Sequence, residues 1–311
     1  MKKIHLILML PVFLTGCAGL PSLDDRPESN YLDIRSAPRM DALLNTATAK
    51  TGGDISNVYL LNDAHEAFVA RAALIEAADH TLDLQYYIWH NDISGKLMFN
   101  LIHRAAERGV RVRLLLDDNN TNGLDNVLLA LDSHPNIEIR LFNPFVRRKW
   151  RALGYLTEFP RLNRRMHNKS FTADNRATIL GGRNIGDEYF KVGEDTIFAD
   201  LDILATGRVV TEVSQDFDRY WASHSSYTVA SIIKKGDIEK GFQELGYNDK
   251  DKNETLSRYR SSIENSELYK KMQSNSIDWQ SVHTRLISDD PAKGLDRDRH
   301  KPPIFDRMQN A

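Results

Sequence analysis

Cysteine is almost absent from this chain of 311 residues, in which Cys17 is the single one. A lone thiol excludes an intramolecular disulfide. The formal net charge is only −2, from 41 Lys and Arg against 43 Asp and Glu. This balance argues against a globally basic protein that coats nucleic acid, because such proteins bind the phosphate backbone mostly through electrostatic attraction. An anionic substrate must therefore be bound by a local cluster of positive charge.

Long apolar runs are also missing. The apolar residues 4–13 follow Lys2 and Lys3 and precede Leu14-Thr15-Gly16-Cys17, and a run of that length with such flanks is typical of an export signal. Leu-x-Gly-Cys resembles the lipobox of bacterial lipoproteins, which implies that residues 1–16 are a signal peptide and that Cys17 is lipidated. We expect a lipid-anchored protein of the bacterial cell envelope. Ala18 after the cysteine favours the outer membrane, facing the periplasm.

The remaining chain divides into three parts. Residues 17–57 are polar and predict a tether with a short helix near residues 40–48. Residues 58–225 predict strands at 81–89, 110–116, 137–142, 169–173, 177–180 and 199–205, and helices after Asp63 and at 94–108, 124–133 and 209–223. This alternation predicts an α/β domain with a mainly parallel or mixed sheet flanked by helices. Residues 226–311 predict a polar, mostly helical extension, with helices at 230–245 and 256–272 and poor order from Ser281 onward.

The segment from His167 to Asp174 carries the candidate chemistry. His167 and Lys169 are two apart on a predicted strand, so their side chains point to one face. Asp174 has the opposite parity, so we expect it to orient backbone behind the site without touching substrate. A neutral imidazole can attack phosphorus while an ammonium holds a non-bridging oxygen. Further on, Gly182 and its neighbour leave room for close backbone approach, and Asn184 offers an amide to an oxygen.

His-x-Lys-x4-Asp followed by Gly-Gly-x-Asn resembles the HKD motif of the phospholipase D superfamily. Four longer runs, at 86–89, 114–120, 140–145 and 162–169, resemble the N-terminal half of bacterial cardiolipin synthases of the C type. The resemblance implies that His167 Nε2 forms a phosphohistidine, which an alcohol or water then resolves. It also implies an acidic residue that fixes the other ring nitrogen, with Asp200 as the matching position and Asp202 as the alternate. No metal or other cofactor is implied.

Residues 145–165 are predicted to be a long irregular loop that mixes basic and aromatic residues. We expect Arg164, Arg165 and Trp150 to bind substrate or membrane, with the cations on anionic headgroups and the aromatic ring at their boundary. The alternative is a solvated basic loop without a ligand.

The superfamily normally uses two such motifs, one histidine as nucleophile and the other as general acid. Here the other nine histidines lack the motif, and residues 302–308 look like the start of a second half. Three interpretations remain: a homodimer that pairs two copies of His167, a separately encoded partner half, or a truncated inactive product. The expected activity is phosphatidyl transfer between phospholipids. The alternatives are hydrolysis of the phospholipase D or endonuclease type and a non-catalytic membrane-associated half; the anchor and the aromatic loop favour lipid over nucleic acid.

Overall fold

The computed structural model describes residues 19–34, 36–44, 54–192, 200–246 and 261–292. The predicted signal peptide at 1–16, the lipidation site Cys17 and the predicted start of a second half at 302–308 lie outside these ranges. None of the described helices combines the length and the apolar character needed to cross a bilayer.

A nine-stranded mixed sheet forms the centre of the fold, in the order β8-β4-β3-β2-β5-β6-β7-β1-β9. Its strands are β1 Ile55–Leu61, β2 Thr81–Ile88, β3 Arg111–Asn120, β4 Ile137–Phe142, β5 Ser170–Ala173, β6 Ala177–Gly181, β7 Asp202–Gly207, β8 Ser226–Thr228 and β9 Gln280–His283. Parallel pairing is confined to β2, β3 and β4, where helices connect successive strands. The other neighbours pair antiparallel.

Helices flank the sheet. They are α1 Pro38–Leu44, α2 Ala64–Ala77, α3 Ile93–Glu107, α4 Asp125–Asp132, α5 Arg151–Leu162, α6 Asp187–Phe190, α7 Arg208–Trp221, α8 Val229–Ile232, α9 Ile238–Leu245 and α10 Glu267–Gln273, with a 3-10 turn at Arg148–Trp150. Asp63 caps α2 as predicted, since its carboxylate accepts the backbone N–H groups of His65 and Glu66. Gly109 follows the end of α3 and has a φ of +94°, a backbone conformation that favours glycine and ends helices.

Four local predictions were wrong. The helix predicted at 230–245 is divided into α8 and α9 by the non-helical residues 233–237. Residues 145–165 are not an irregular loop, because the 3-10 turn and α5 occupy most of them. Strand β3 does not end before Asp117 and Asp118 but continues to Asn120. The chain beyond Ser281 does not lack order throughout, because β9 pairs with β1.

The segments on either side of the predicted α/β domain contact it closely. Arg26 donates to the carbonyl oxygens of Ser223 and Ser226 at 2.5 and 2.8 Å, and Met40 of α1 is fully buried. Beyond residue 225, β8 extends the sheet at one edge and β9 at the other. The described part of the predicted tether therefore packs on the domain, and the sheet continues past the predicted boundary at residue 225.

Candidate active site

His167 and Lys169 lie immediately before β5, and the structure brings their side chains together. The imidazole is exposed, whereas Lys169 is only 9% exposed. Lys169 Nζ donates to the His167 carbonyl oxygen at 2.9 Å and lies 3.4 Å from His167 Nδ1. An ammonium and an imidazole are thus available to a single phosphate.

Tyr87 lies against both residues, and no local sequence pattern pointed to this contact. Its ring centroid is 4.8 Å from that of His167, and Lys169 Nζ is 5.7 Å from the same centroid. This contact follows from the antiparallel pairing of β2 with β5, in which Gln85 faces Ser170. Residues far apart in the chain meet only because of that register, which no local pattern encodes.

Two charges of opposite sign act on His167. Its pKa is lowered from the ordinary value, first because surrounding protein displaces water and next because of the Lys169 ammonium; Asp200 opposes both. The pKa of Lys169 is lowered mainly by burial, against the attraction of Asp200 and Asp202. The lowered pKa favours the neutral imidazole that nucleophilic attack requires.

Gly181 and Gly182 are required by the close approach of the chain that enters β7. A Cβ on Gly182 would overlap the Asp200 carboxylate, and one on Gly181 would overlap Asp202. Asp202 is fully buried and forms an ion pair with Arg71 at 2.8 Å. Asp200 is only half-buried. Of the two predicted partners of His167, Asp202 is therefore paired with Arg71, and Asp200 is not part of that buried pair.

Asn184 has its side-chain amide engaged within the protein. Its Oδ1 accepts the Ile88 N–H at 3.0 Å, and its Nδ2 donates to the Tyr189 hydroxyl at 3.0 Å. Burial raises the pKa of Tyr189, the hydrogen bond with Asn184 opposes this, and the negative charges of Glu188 and Asp200 add to it. In this structure Asn184 therefore connects the end of β2 to Tyr189 beside the site.

Asp174 is fully buried, and its carboxylate binds backbone. It accepts the N–H groups of Asp79, His80 and Thr81 at 2.7, 2.7 and 2.8 Å. These bonds tie the start of β2 to the end of β5. Asp174 therefore supports β2, which carries Tyr87, and β5, which follows His167.

Two buried aspartates in β3 hold the ends of the segment that contains α5. Asp118 accepts the Phe145 N–H at 2.8 Å and pairs with Arg148, which fixes the start of the segment. Asp117 accepts the Met166 N–H at 2.8 Å and pairs with Arg165 at 3.1 Å, which fixes its end. The residue that follows Met166 is His167. The sequence signalled these carboxylates only as a polar pair after an apolar run.

A pocket of about 250 Å³ opens beside His167. Its lining combines cations, aromatics and a stretch of acidic chain, namely Phe142, Arg164, Arg165, His167, Asn168, Tyr220, Asp289, Asp290 and Pro291. Arg164 and Arg165 thus lie at the site, whereas Trp150 is 67% exposed at the start of α5. Within the described ranges no group of three or more His, Cys, Asp and Glu has an arrangement suited to a metal ion.

Comparisons with known proteins identify the family to which the chain is similar. Residues 72–221 match the family described as "Cardiolipin synthase, PLD-like domain". Cardiolipin synthase C of Escherichia coli is 50% identical over 241 residues, which are 76% of this chain and 50% of that protein. An uncharacterized protein of Helicobacter pylori is 36% identical over 248 residues, 78% of this chain and 49% of its own.

Among solved structures, Nuc from Salmonella typhimurium, a phospholipase D family member, is 14% identical, with a TM-score of 0.40 over 56% of this chain and 96% of its own. The chain spans about half the length of the curated relatives it matches. By its HKD motif, its family match and its identity to these relatives, the chain belongs to the phospholipase D superfamily.

Proposed function

We propose that the chain transfers a phosphatidyl group between phospholipids through a covalent intermediate on His167. The observation that carries the proposal is the exposed imidazole of lowered pKa, which lies next to Lys169 on the wall of a pocket that contains two arginines and two aspartates. The family match and the 50% identity to cardiolipin synthase C support phospholipid as the substrate class.

The proposed reaction has two displacements at phosphorus. His167 Nε2 attacks, the bond between phosphorus and the leaving alcohol breaks, and the alkoxide takes a proton from a general acid. The acceptor hydroxyl then attacks, the P–N bond breaks, its proton passes to that acid–base group, and the imidazole is restored. Asp200 stabilises the positive charge that develops on the ring, and Lys169 holds a non-bridging oxygen.

Arg164 and Arg165 are proposed to bind the phosphate from the pocket wall. Arg165 Nη2 is buried and has no hydrogen-bond partner in the described part of the chain. A phosphate oxygen in the pocket would accept a hydrogen bond from this nitrogen. Arg typically binds phosphate through two parallel N–H···O hydrogen bonds. Asn184 contributes by fixing Tyr189, and Gly182 by allowing Asp200 to approach.

The general acid is proposed to come from a second site. The acid would be His167 of a second copy in a homodimer, or the histidine of a second HKD half outside these 311 residues. Nucleic acid is not proposed as a partner.

The direct test is to incubate the full chain with phosphatidylglycerol, with and without phosphatidylethanolamine, and to measure cardiolipin and the released alcohol. Cardiolipin that disappears in His167→Ala supports transfer. Folded, lipid-bound protein without any turnover would rule out the enzyme and leave a non-catalytic half.

Hydrolysis is the second candidate, because the exposed position of His167 gives water access to the intermediate. In the same incubation a phospholipase D reaction yields phosphatidic acid in place of cardiolipin. An endonuclease-type activity would cleave a DNA substrate with the same dependence on His167.

We also propose that lipidated Cys17 anchors the chain to a membrane of the bacterial envelope, which would keep the site near its substrate. The test is metabolic labelling with a radioactive fatty acid. Label should enter the chain and be lost in Cys17→Ser, and unlabelled wild-type protein would contradict the anchor.

A further inference from the structure

Helix α5 has its polar side on the protein and its apolar side in solvent. On the inner side, Arg151 donates to the carbonyl oxygens of Asp118 and Asn119 at 2.8 and 3.1 Å. Also on that side, Tyr155 donates to the Asn119 side chain, and Arg161 binds the Asn143 side chain. A surface helix of a soluble protein normally buries its apolar side. Helix α5 instead turns its polar side inward and exposes its apolar side.

The outer side of α5 carries large apolar residues one turn apart. Leu153, Leu156 and Phe159 are 43%, 81% and 55% exposed, and Trp150, just before the helix, is 67% exposed. We call these four residues the α5 apolar face. A kink at Glu158, before Pro160, separates Phe159 from the first turns. Single exposed apolar residues are ordinary, but a group of them on one helix marks an interaction site.

Positive charge borders the α5 apolar face. Arg147 and Lys149 are exposed at the start of the segment. The one carboxylate on α5, Glu158, is paired with Arg161 at 2.6 Å. Apolar and aromatic residues beside unbalanced cations complement a bilayer that exposes anionic headgroups over hydrocarbon.

The segment that carries the α5 apolar face is bonded to β3 at both of its ends. Asp118 fixes the chain before α5, and Asp117 fixes Met166 directly after it. His167 is the next residue. A surface that binds α5 would therefore lie at a defined position relative to the His167 pocket.

We infer that the α5 apolar face inserts into the interfacial layer of an anionic phospholipid bilayer and so presents the His167 pocket to lipid headgroups. The inference rests on the proposed function for the identity of the substrate, whereas the insertion can be measured without turnover. A second copy of the chain is the competing occupant.

Trp150 provides the readout. The full chain is mixed with phosphatidylglycerol vesicles whose acyl chains are brominated, and quenching of its fluorescence is measured. Trp89 and Trp221 are buried in the protein, and Trp279 is half-buried against the core, so we expect most of the quenching to disappear in Trp150→Phe. Phosphatidylcholine vesicles should give weaker quenching, because the bordering cations then have no net charge to bind.

The double variant Leu156→Gln, Phe159→Gln tests the apolar contact. Partition of Trp150 into the brominated layer should fall about 100-fold, roughly tenfold for each side chain removed from the bilayer. Leu60→Gln is the matched control, because Leu60 is 51% exposed on β1 and lies outside α5. It should leave the quenching unchanged.

Three results would overturn the inference: no quenching in anionic vesicles, quenching that survives the double variant, or a dimer by light scattering that the double variant dissociates. The last would assign the α5 apolar face to a second copy. Insertion without cardiolipin synthesis would contradict only the proposed function, and cardiolipin synthesis without quenching would contradict only the insertion.

Discussion

His167 lies between two charges of opposite sign that are supplied by different parts of the chain. Lys169 is two residues away in the sequence. Asp200 is distant in the sequence, lies beside Gly182 and acts on the imidazole through its charge. Because these charges oppose each other, removing either one should move the pKa of His167 in a direction that can be stated in advance.

Asp200→Asn removes the charge that raises the pKa of His167, so the pKa should fall further below its ordinary value. Lys169→Gln removes a charge that lowers it, so the pKa should rise. The measurement is an NMR titration of the His167 ring proton, assigned by its loss in His167→Ala. Shifts in the same direction in both variants would show that these charges do not control the ring.

Asp174 belongs to the motif but binds only backbone N–H groups among its described hydrogen bonds. Asp174→Asn converts one acceptor into a donor that faces an N–H group. We expect the free energy of unfolding to fall by about 1.5–3 kcal/mol, the cost of charge-assisted hydrogen bonds. Denaturant unfolding measures this loss, and turnover per folded molecule should change little. Unchanged stability with lost turnover would place Asp174 in the chemistry instead.

At the scale of elements, the end of β3 determines where α5 and His167 lie. Asp117 and Asp118 are both fully buried and bind opposite ends of the same segment. Burial raises the pKa of Asp117 to about 7, despite the opposing effects of Arg165 and two backbone N–H groups. We therefore expect the contact just before His167 to depend on pH.

A carboxyl group whose pKa is higher in the folded than in the unfolded state binds more protons when folded. Asp117 should therefore contribute stability that is present at low pH and lost as the pH rises from about 4 to about 7. Between pH 5 and pH 8, the wild type should lose stability relative to Asp117→Asn in denaturant unfolding. Asp132, whose pKa is raised to about 6, provides a comparison in which Asp132→Asn should act over a narrower window. A gap that widens in favour of the wild type with rising pH would contradict the assignment.

The loop after β6 admits only glycine at position 182. In Gly182→Ala the added Cβ overlaps the Asp200 carboxylate, so either that side chain or the loop must move. We expect turnover to fall by roughly 100-fold, the effect of about 1 Å of misplacement in an active site. Gly19→Ala is the control, because no atom lies within 4 Å of its added Cβ. Steady-state kinetics on both variants checks this, and full activity in Gly182→Ala would show that the position of Asp200 is not critical.

At the scale of the whole molecule, the proposed function needs a general acid in addition to His167, and a second copy of the chain is one proposed source of it. If two copies supply both, light scattering should give twice the 35.5 kDa of one chain, and turnover per chain should fall on dilution below the dimer dissociation constant. An active monomer, with turnover per chain independent of concentration, would contradict the homodimer. Activity that appears only on adding a second protein would indicate a separate half.

Local sequence was enough to predict most elements. Alternating apolar and amphipathic runs predicted β4 at its observed bounds and α3 and α4 within one residue at each end. These predictions succeeded because capping groups and apolar periodicity act within one element. Residues 145–165 were misread because α5 has its polar side inward, which removes the usual signature of a buried apolar face.

The sequence by itself determined the candidate site of this protein: His167 and Lys169 two apart, the glycine pair, and a family motif whose spacing suits phosphate. Only the tertiary structure decided their surroundings. It placed Tyr87 against His167 and paired Asp202 with Arg71, while Asp200 acts on the His167 ring through its charge. It also showed that the basic residues 145–165 contain a helix whose apolar side is exposed. The physical reason is that these contacts depend on strand register and buried charge pairing between segments distant in the chain, which local periodicity does not encode.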